Sequence, residues 1–254
     1  MTDKPVKEPK VGGKLDAAAP WILLAGAILA TVGFVLSFTI AGLVNGAEVS
    51  EPVVINGVVV GNLLLFSQKI FYWHVPLAVS SFIAIAFAAY YSIRFLMTKH
   101  SCFDARAKVA MEVGLVFVLC TMATGEMWTR FEWGVWWSWE PRLTTYLILM
   151  LLVIAYFILR NAIADPERRG VYSSVFGILI FIDVPICFLV TRLIPSSIHP
   201  VVFRTDSGLS PDMLVPFLIS MFGMFAVTFG LYRLRLRTQV MEDKLAHIQD
   251  SLED

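Results

Sequence analysis

Six apolar runs, near 21–43, 71–97, 107–127, 143–163, 171–193 and 212–232, limit what this chain can become. Each is long enough to cross the roughly 30 Å of hydrocarbon in a bilayer, which takes about 20 apolar residues as a helix. Lipid offers no hydrogen bonds, so a spanning backbone must satisfy its own, and helices are the default. Composition agrees: 16% of the 254 residues are charged and 57% are hydrophobic, whereas a soluble domain carries about a quarter charged residues. The predicted fold is therefore an all-α integral membrane protein, a bundle of six transmembrane helices. Residues 1–20 are polar and hold four lysines. The run that follows is too long for a cleavable signal, so it reads as an uncleaved anchor. A formal net charge of zero gives no general attraction to nucleic acid. Cys102, Cys120 and Cys187 have no CxxC spacing and are expected to be small buried hydrophobes.

Loop charges orient the bundle. Fifteen of the twenty Lys and Arg fall in 4–14, 94–108, 160–169 and 233–244; the other five are Lys69, Arg130, Arg142, Arg192 and Arg204. The bias predicts both termini in the cytoplasm. It makes 1–20 and 233–254 cytoplasmic tails around a transmembrane domain at 21–232. Loops 44–70, 128–142 and 194–211 then face outward.

The outward face holds the unusual residues. "EWGVWWSWEPRLTT" puts Trp133, Trp136, Trp137 and Trp139 within seven positions. Trp133, Trp136, Trp137 and Glu140 follow the i, i+3, i+4, i+7 spacing of one helix face, while Gly134 opposes a long helix. A short amphipathic piece lying on the membrane is expected over 128–144. Pro141 suits the first turn of the next span. An aromatic belt at the interface accounts for one or two tryptophans, but four in one segment suit a flat apolar ligand. Arg142 beside them suits a ligand carboxylate. His74, in "FYWHVP", opens the second span at this face, and His199, in "SSIHPVV", lies in the last outer loop. A single interfacial histidine is an ordinary polar anchor. Two beside an aromatic cluster point to a ligand pair, imidazole being a common axial ligand of haem iron. His100 and His247 fall in cytoplasmic segments and read as solvated.

"TGEMWTRFEWGVWWSWEPRLT", residues 124–144, resembles the tryptophan-rich signature of haem-handling membrane proteins of cytochrome c biogenesis. Thr124, Gly125, Trp128, Trp133, Gly134, Trp136, Trp137, Trp139, Arg142, Leu143 and Thr144 carry the match, and "IFYWHVP" is similar to the family's second-span opening. Length, six spans and two outer histidines direct the resemblance to the haem exporter protein C family, also called cytochrome c maturation protein C. It covers about residues 70–204. It implies a protein of the bacterial cytoplasmic (inner) membrane, not an enzyme, that binds haem b at its periplasmic face. His74 and His199 would be the axial iron ligands. Trp128, Trp133, Trp136, Trp137, Trp139, Glu140 and Arg142 would complete the haem site, Arg142 toward a propionate. Implied partners are the periplasmic haem chaperone (cytochrome c maturation protein E), ATP-binding cassette subunits A and B of the pathway, and the single-span helper protein D. The chain departs from the signature in two places. Glu140 stands where the family usually has aspartate, and "TRLIPSSIHP" lacks the tryptophans many members carry before the second histidine. Arg192 or Arg204 would then supply polar contacts instead.

Two other functions fit a haem-binding bundle. A b-type electron-transfer subunit usually stacks two haems between four histidines. A haem permease calls for broken helices at the midplane. Asp183, in "FIDVPICF", is an intramembrane carboxylate and so a functional candidate, expected to pair structurally or to relay protons. Met127 is expected to be a buried filler, with axial ligation of iron as the alternative. "VVINGVVVG", residues 53–61, reads as a small outer hairpin about Asn-Gly, and the chain beyond about residue 238 as a charged amphipathic helix.

Overall fold

The computed structural model describes residues 12–42, 53–55, 58–60, 63–194, 199 and 209–253. Its helices are α1 (Lys14–Thr39), α2 (Leu63–Thr98), α3 (Ser101–Glu132), α4 (Pro141–Ala162), α5 (Pro166–Leu193) and α6 (Pro211–Glu253). All six are long and apolar enough to cross a membrane. Strands β1 (Val53–Ile55) and β2 (Val58–Val60) pair antiparallel with Ile55 opposite Val58, the register a two-residue loop requires. The loop residues Asn56 and Gly57, Arg204 and residues 1–11 lie outside the described residues.

Helix starts follow local chemistry. Proline fixes φ and needs no N–H at the first helical position; Pro141 and Pro166 occupy that turn, behind the N-caps Glu140 and Asp165. All six helices begin before the expected spans. α2 begins eight residues before 71, and α3 runs five past 127. α6 is 43 residues long, about 64 Å, and runs unbroken into the charged tail, so part of it projects beyond any bilayer.

α2 and α3 form the central pair; α5 and α4 pack on one side, and α6, carrying α1, on the other. The α1–α6 seam is close: a Cβ at Gly223 would run into the Ala30 backbone nitrogen. Small residues at a membrane helix interface permit this approach, which supplies the packing that lipid cannot drive. The central core holds Ile85, Met111, Val118, Leu149, Tyr156 and Ile180. Ser81 Oγ and Tyr146 Oη, both buried, bond across it at 2.8 Å.

Ion pairs collect at one end, here the basic end. Arg233 of α6 binds Asp16 of α1, Arg235 Nε lies 2.7 Å from Glu112 Oε2, and Arg160 grips Asp104 with both guanidinium arms. Glu112 of span three is thus a neutralised carboxylate. Arg160 is nearly buried. Asp104→Asn therefore leaves a poorly compensated cation and is expected to cost about 3 kcal/mol. Thermal unfolding in detergent measures this, and joint replacement by Leu (Asp104) and Met (Arg160) should recover most of it.

At the opposite end Lys69 Nζ and Gln68 Nε2 donate to the Ala41 and Gly42 carbonyls just after α1, each at 2.8 Å. Asp212 accepts from the Gly42 N–H at 2.6 Å. These side chains satisfy backbone groups that lipid would leave unpaired.

The cysteines divide. Cys187 is buried as expected, but Cys120 faces outward from α3 and Cys102 is half-buried. α3 presents one side to its neighbours, and position 120 falls on the other. Met127 likewise is 48% exposed and not a filler.

Candidate functional site

Four segments meet at the end away from the ion pairs: α2 around His74, the last turns of α3, the start of α4, and His199 between α5 and α6. His74 does not open its helix. It lies eleven residues after Leu63, about 16 Å along a continuous α2. Its Nδ1 is 2.9 Å from Thr124 Oγ1 of α3. Thr124 Oγ1 also lies 2.9 and 3.1 Å from the Cys120 and Thr121 carbonyls, either of which can take its proton. In that arrangement the hydroxyl oxygen accepts from Nδ1–H, and Nε2 keeps its lone pair. A metal-binding imidazole needs this tautomer, with its second nitrogen held by a hydrogen bond. Gly125 makes the contact possible: a Cβ there would stand 3.1 Å from His74 Cε1.

His199, 125 positions later in the chain, lies within electrostatic reach of His74. Its ring centroid is 5.5 Å from Trp128 and 6.5 Å from Trp133, which meet each other edge to face at 5.0 Å. The aromatic surroundings missing from its own flank therefore come from the end of α3. Arg142 is the third group within reach of His74, and Arg192 lies near Arg142, its guanidinium 4.8 Å from the Phe188 ring centroid. Two cations thus stand beside two imidazoles and two indoles.

The tryptophan-rich segment is not the short helix its spacing allows. α3 ends at Glu132, and Gly134 takes φ +73°, a left-handed conformation that glycine enters without steric cost. Residues 137–140 then run without regular structure. Thr129 Oγ1 donates to the Trp136 carbonyl at 3.0 Å, and Arg130 donates to the Gly134 carbonyl while lying over the Trp136 ring. The turn divides the indoles. Trp128 and Trp133 face His199, Trp137 meets Trp139 at 5.6 Å, and Trp136 and Trp139 are 61% and 75% exposed.

Glu140 is 5% exposed, and its carboxylate accepts from the backbone N–H groups of Arg142 (2.8 Å) and Leu143 (3.3 Å). It caps α4, a position where a negative charge is favoured. Its carboxylate is engaged with the backbone beneath Arg142, so it positions that arginine.

Thr124 and Gly125 are the residues that sequence reasoning matched to the signature without assigning a role; their signal was the hydroxyl–glycine pair one helix away from the histidine. Asp183 is half-buried, and Cys187 Sγ donates to it at 3.6 Å, one turn along a continuous α5. His100 is exposed at the basic end; His247 lies on α6, its side chain outside the described residues.

Comparison with known proteins identifies the family. The chain is 26% identical over 246 residues to Heme exporter protein C of Paracoccus denitrificans, covering 95% of this chain and 93% of the relative. It is 30% identical over 185 residues to the protein of that name from Rhodobacter capsulatus, covering 69% and 67%. With that of Escherichia coli K12 it shares 26% over 226 residues, covering 87% and 83%. The family profile described as Heme exporter protein C matches residues 64–250, nearly all of α2 through α6. This chain is a member of the Heme exporter protein C family.

Proposed function

We propose that this protein holds haem b at the periplasmic face of the bacterial inner membrane and hands it to the periplasmic haem chaperone during cytochrome c maturation. The observation that carries the reading is the convergence of His74 and His199 among Trp128, Trp133 and Arg142. Among the described residues no group of three or more His, Cys, Asp or Glu forms a metal cage. Two imidazoles suit an iron that already carries four porphyrin nitrogens and needs only axial partners.

His74 offers Nε2 from a rigid helix and His199 completes the pair from a loop. Trp128 and Trp133 line the site with apolar faces suited to a macrocycle. Arg142, with Arg192 beside it, would meet the propionates. Trp136 and Trp139, exposed on the same turn, would receive the chaperone, aromatic residues being frequent interface anchors. Cassette subunits A and B and helper protein D would complete the assembly. The protein acts by binding and presentation, without a catalytic group of its own. Electron transfer through stacked haems would require a second histidine pair, and His100 lies at the other end of the bundle.

The test is haem transfer from purified protein to the chaperone, followed as covalently attached haem. Trp136→Ala with Trp139→Ala is expected to leave bound haem near the wild-type level and to slow transfer about tenfold or more, the loss of an interface hot spot. Transfer at the wild-type rate would refute the docking role of the exposed indoles. A purified protein unable to retain haem would refute the whole reading.

A further inference from the structure

A second feature lies in the half of the bundle nearer the basic end, away from the histidines. A cavity of about 270 Å³ opens between α2, α3 and α6. Ala84 and Ala110 form its buried floor. Phe87 (53% exposed) and Phe229 (41%) stand at its open side. Its wall extends along α2 from Ile83 to Tyr91, about 12 Å. Toward the basic end Tyr91 stacks on Tyr232, with centroids 6.5 Å apart and planes within 2°.

Arginines surround this aromatic end. Arg106 lies 5.6 Å from the Tyr91 centroid and 5.9 Å from Phe103, and Arg94 lies 4.8 Å from Phe103. Every ion pair among the described residues uses Lys108, Arg160, Arg233 or Arg235, and none uses Arg94 or Arg106. Arg106 Nε is buried without a hydrogen-bond partner, as is Nε of Arg233, which lines the cavity. Arg94 Nη1 donates to Tyr90 Oη at a long 3.5 Å; stacking on rings holds a guanidinium plane and leaves the other edge N–H groups for an anion. The remaining carboxylates nearby are spent: Asp16 on Arg233, Asp104 on Arg160 and Glu112 on Arg235.

The groove therefore has the polarity of a membrane lipid, apolar toward the middle of the bundle and cationic toward its surface. It is open along the side that faces hydrocarbon. Its volume falls below the roughly 300–1,000 Å³ that encloses a drug-sized ligand, which suits a single hydrocarbon chain better than a macrocycle. We propose that this groove binds one acyl chain of an anionic phospholipid, with the headgroup phosphate on Arg94 and Arg106. Basic pockets between helices on the cytoplasmic side are a recurrent way of holding acidic headgroups. The lipid would fill the gap where α6 leans on α2 and α3. The proposal is independent of the haem site.

Native mass spectrometry of the purified full chain tests it. The protein is equilibrated with dioleoylphosphatidylglycerol or dioleoylphosphatidylcholine, which share chains and differ in headgroup charge. Wild type is expected to retain the glycerol lipid about tenfold over the choline lipid, the order two arginines near a membrane surface supply. Arg94→Gln with Arg106→Gln should bring the two to parity. Ile83→Trp, which fills the groove and leaves every charge, should lose both lipids, and it carries the test alone if the arginine variant misfolds. Excess inorganic phosphate should leave bound lipid in place; displacement would mean that the site takes the phosphate alone, against the proposal. Equal retention of both lipids by wild type, wild-type retention in the variants, or a porphyrin retained instead of lipid and lost on Ile83→Trp would each overturn it.

Discussion

His74→Ala is expected to strip the purified protein of haem by more than about tenfold, and His199→Ala to leave a weaker complex with a high-spin spectrum. The asymmetry follows from how each imidazole is held. His74 sits on a continuous helix, its Nδ1–H is given to Thr124, and its ring is backed by Gly125. Nε2 is thus oriented before any ligand arrives, and preorganisation of this kind is worth about 10–100-fold in metal affinity. His199 lies between helices and is steadied by ring contacts with Trp128 and Trp133, which restrain it less. Removing His74 therefore removes the anchor, whereas removing His199 leaves iron held by one imidazole and by the aromatic walls. Absorption spectra and bound haem per protein give the answer. Added imidazole should restore the low-spin spectrum in a variant that has lost only its ligand, which separates ligand loss from unfolding. Unchanged haem content and an unchanged low-spin spectrum in both variants would end the ligand assignment.

Gly125→Leu should lower haem affinity nearly as far, by about tenfold, although position 125 touches no haem atom in this scheme. A Cβ at 3.1 Å from His74 Cε1 already demands a shift of a few tenths of an ångström, and the branched end of leucine needs the volume of the ring itself. The ring must turn away, Nδ1 leaves Thr124, and the tautomer is no longer held. Gly125→Ala should cost far less, because the ring can yield by that small amount. Thr124→Val should fall between them: the ring stays in place but its Nδ1–H loses an acceptor. Haem titration followed by absorbance orders the three variants. Equal affinity in wild type and Gly125→Leu would show that the His74 position seen here is not the one that binds.

Much of the architecture was legible in the residues. The six spans were readable because in lipid each helix satisfies itself, so span identity is a local property. Pro141 marked a helix start for the same local reason. The hairpin at 53–60 was readable from an Asn-Gly pair between β-branched runs, and its strands pair in the expected register. The tryptophan-rich segment shows where local reading fails. Trp133, Trp136 and Trp137 have helical spacing, yet one glycine at φ +73° turns the chain, and the spacing places nothing on a common face. Trp136 is exposed while Trp133 meets His199. Glu140 was placed with the site by its spacing and its signature position, and its carboxylate also caps α4.

What the sequence by itself determined is the membrane class, the number of helices and the basic end. These follow from hydropathy, charge and residue type, each of which acts over a few neighbouring positions. Only the tertiary structure decided that His74 projects from within α2 onto Thr124 and Gly125, that α3 lends its tryptophans to His199, and that Arg94 and Arg106 stand without carboxylates beside an open groove. The physical reason is register. Sliding α2 along α3 by one turn, about 5.4 Å, would leave every hydropathy pattern intact and every one of these contacts broken.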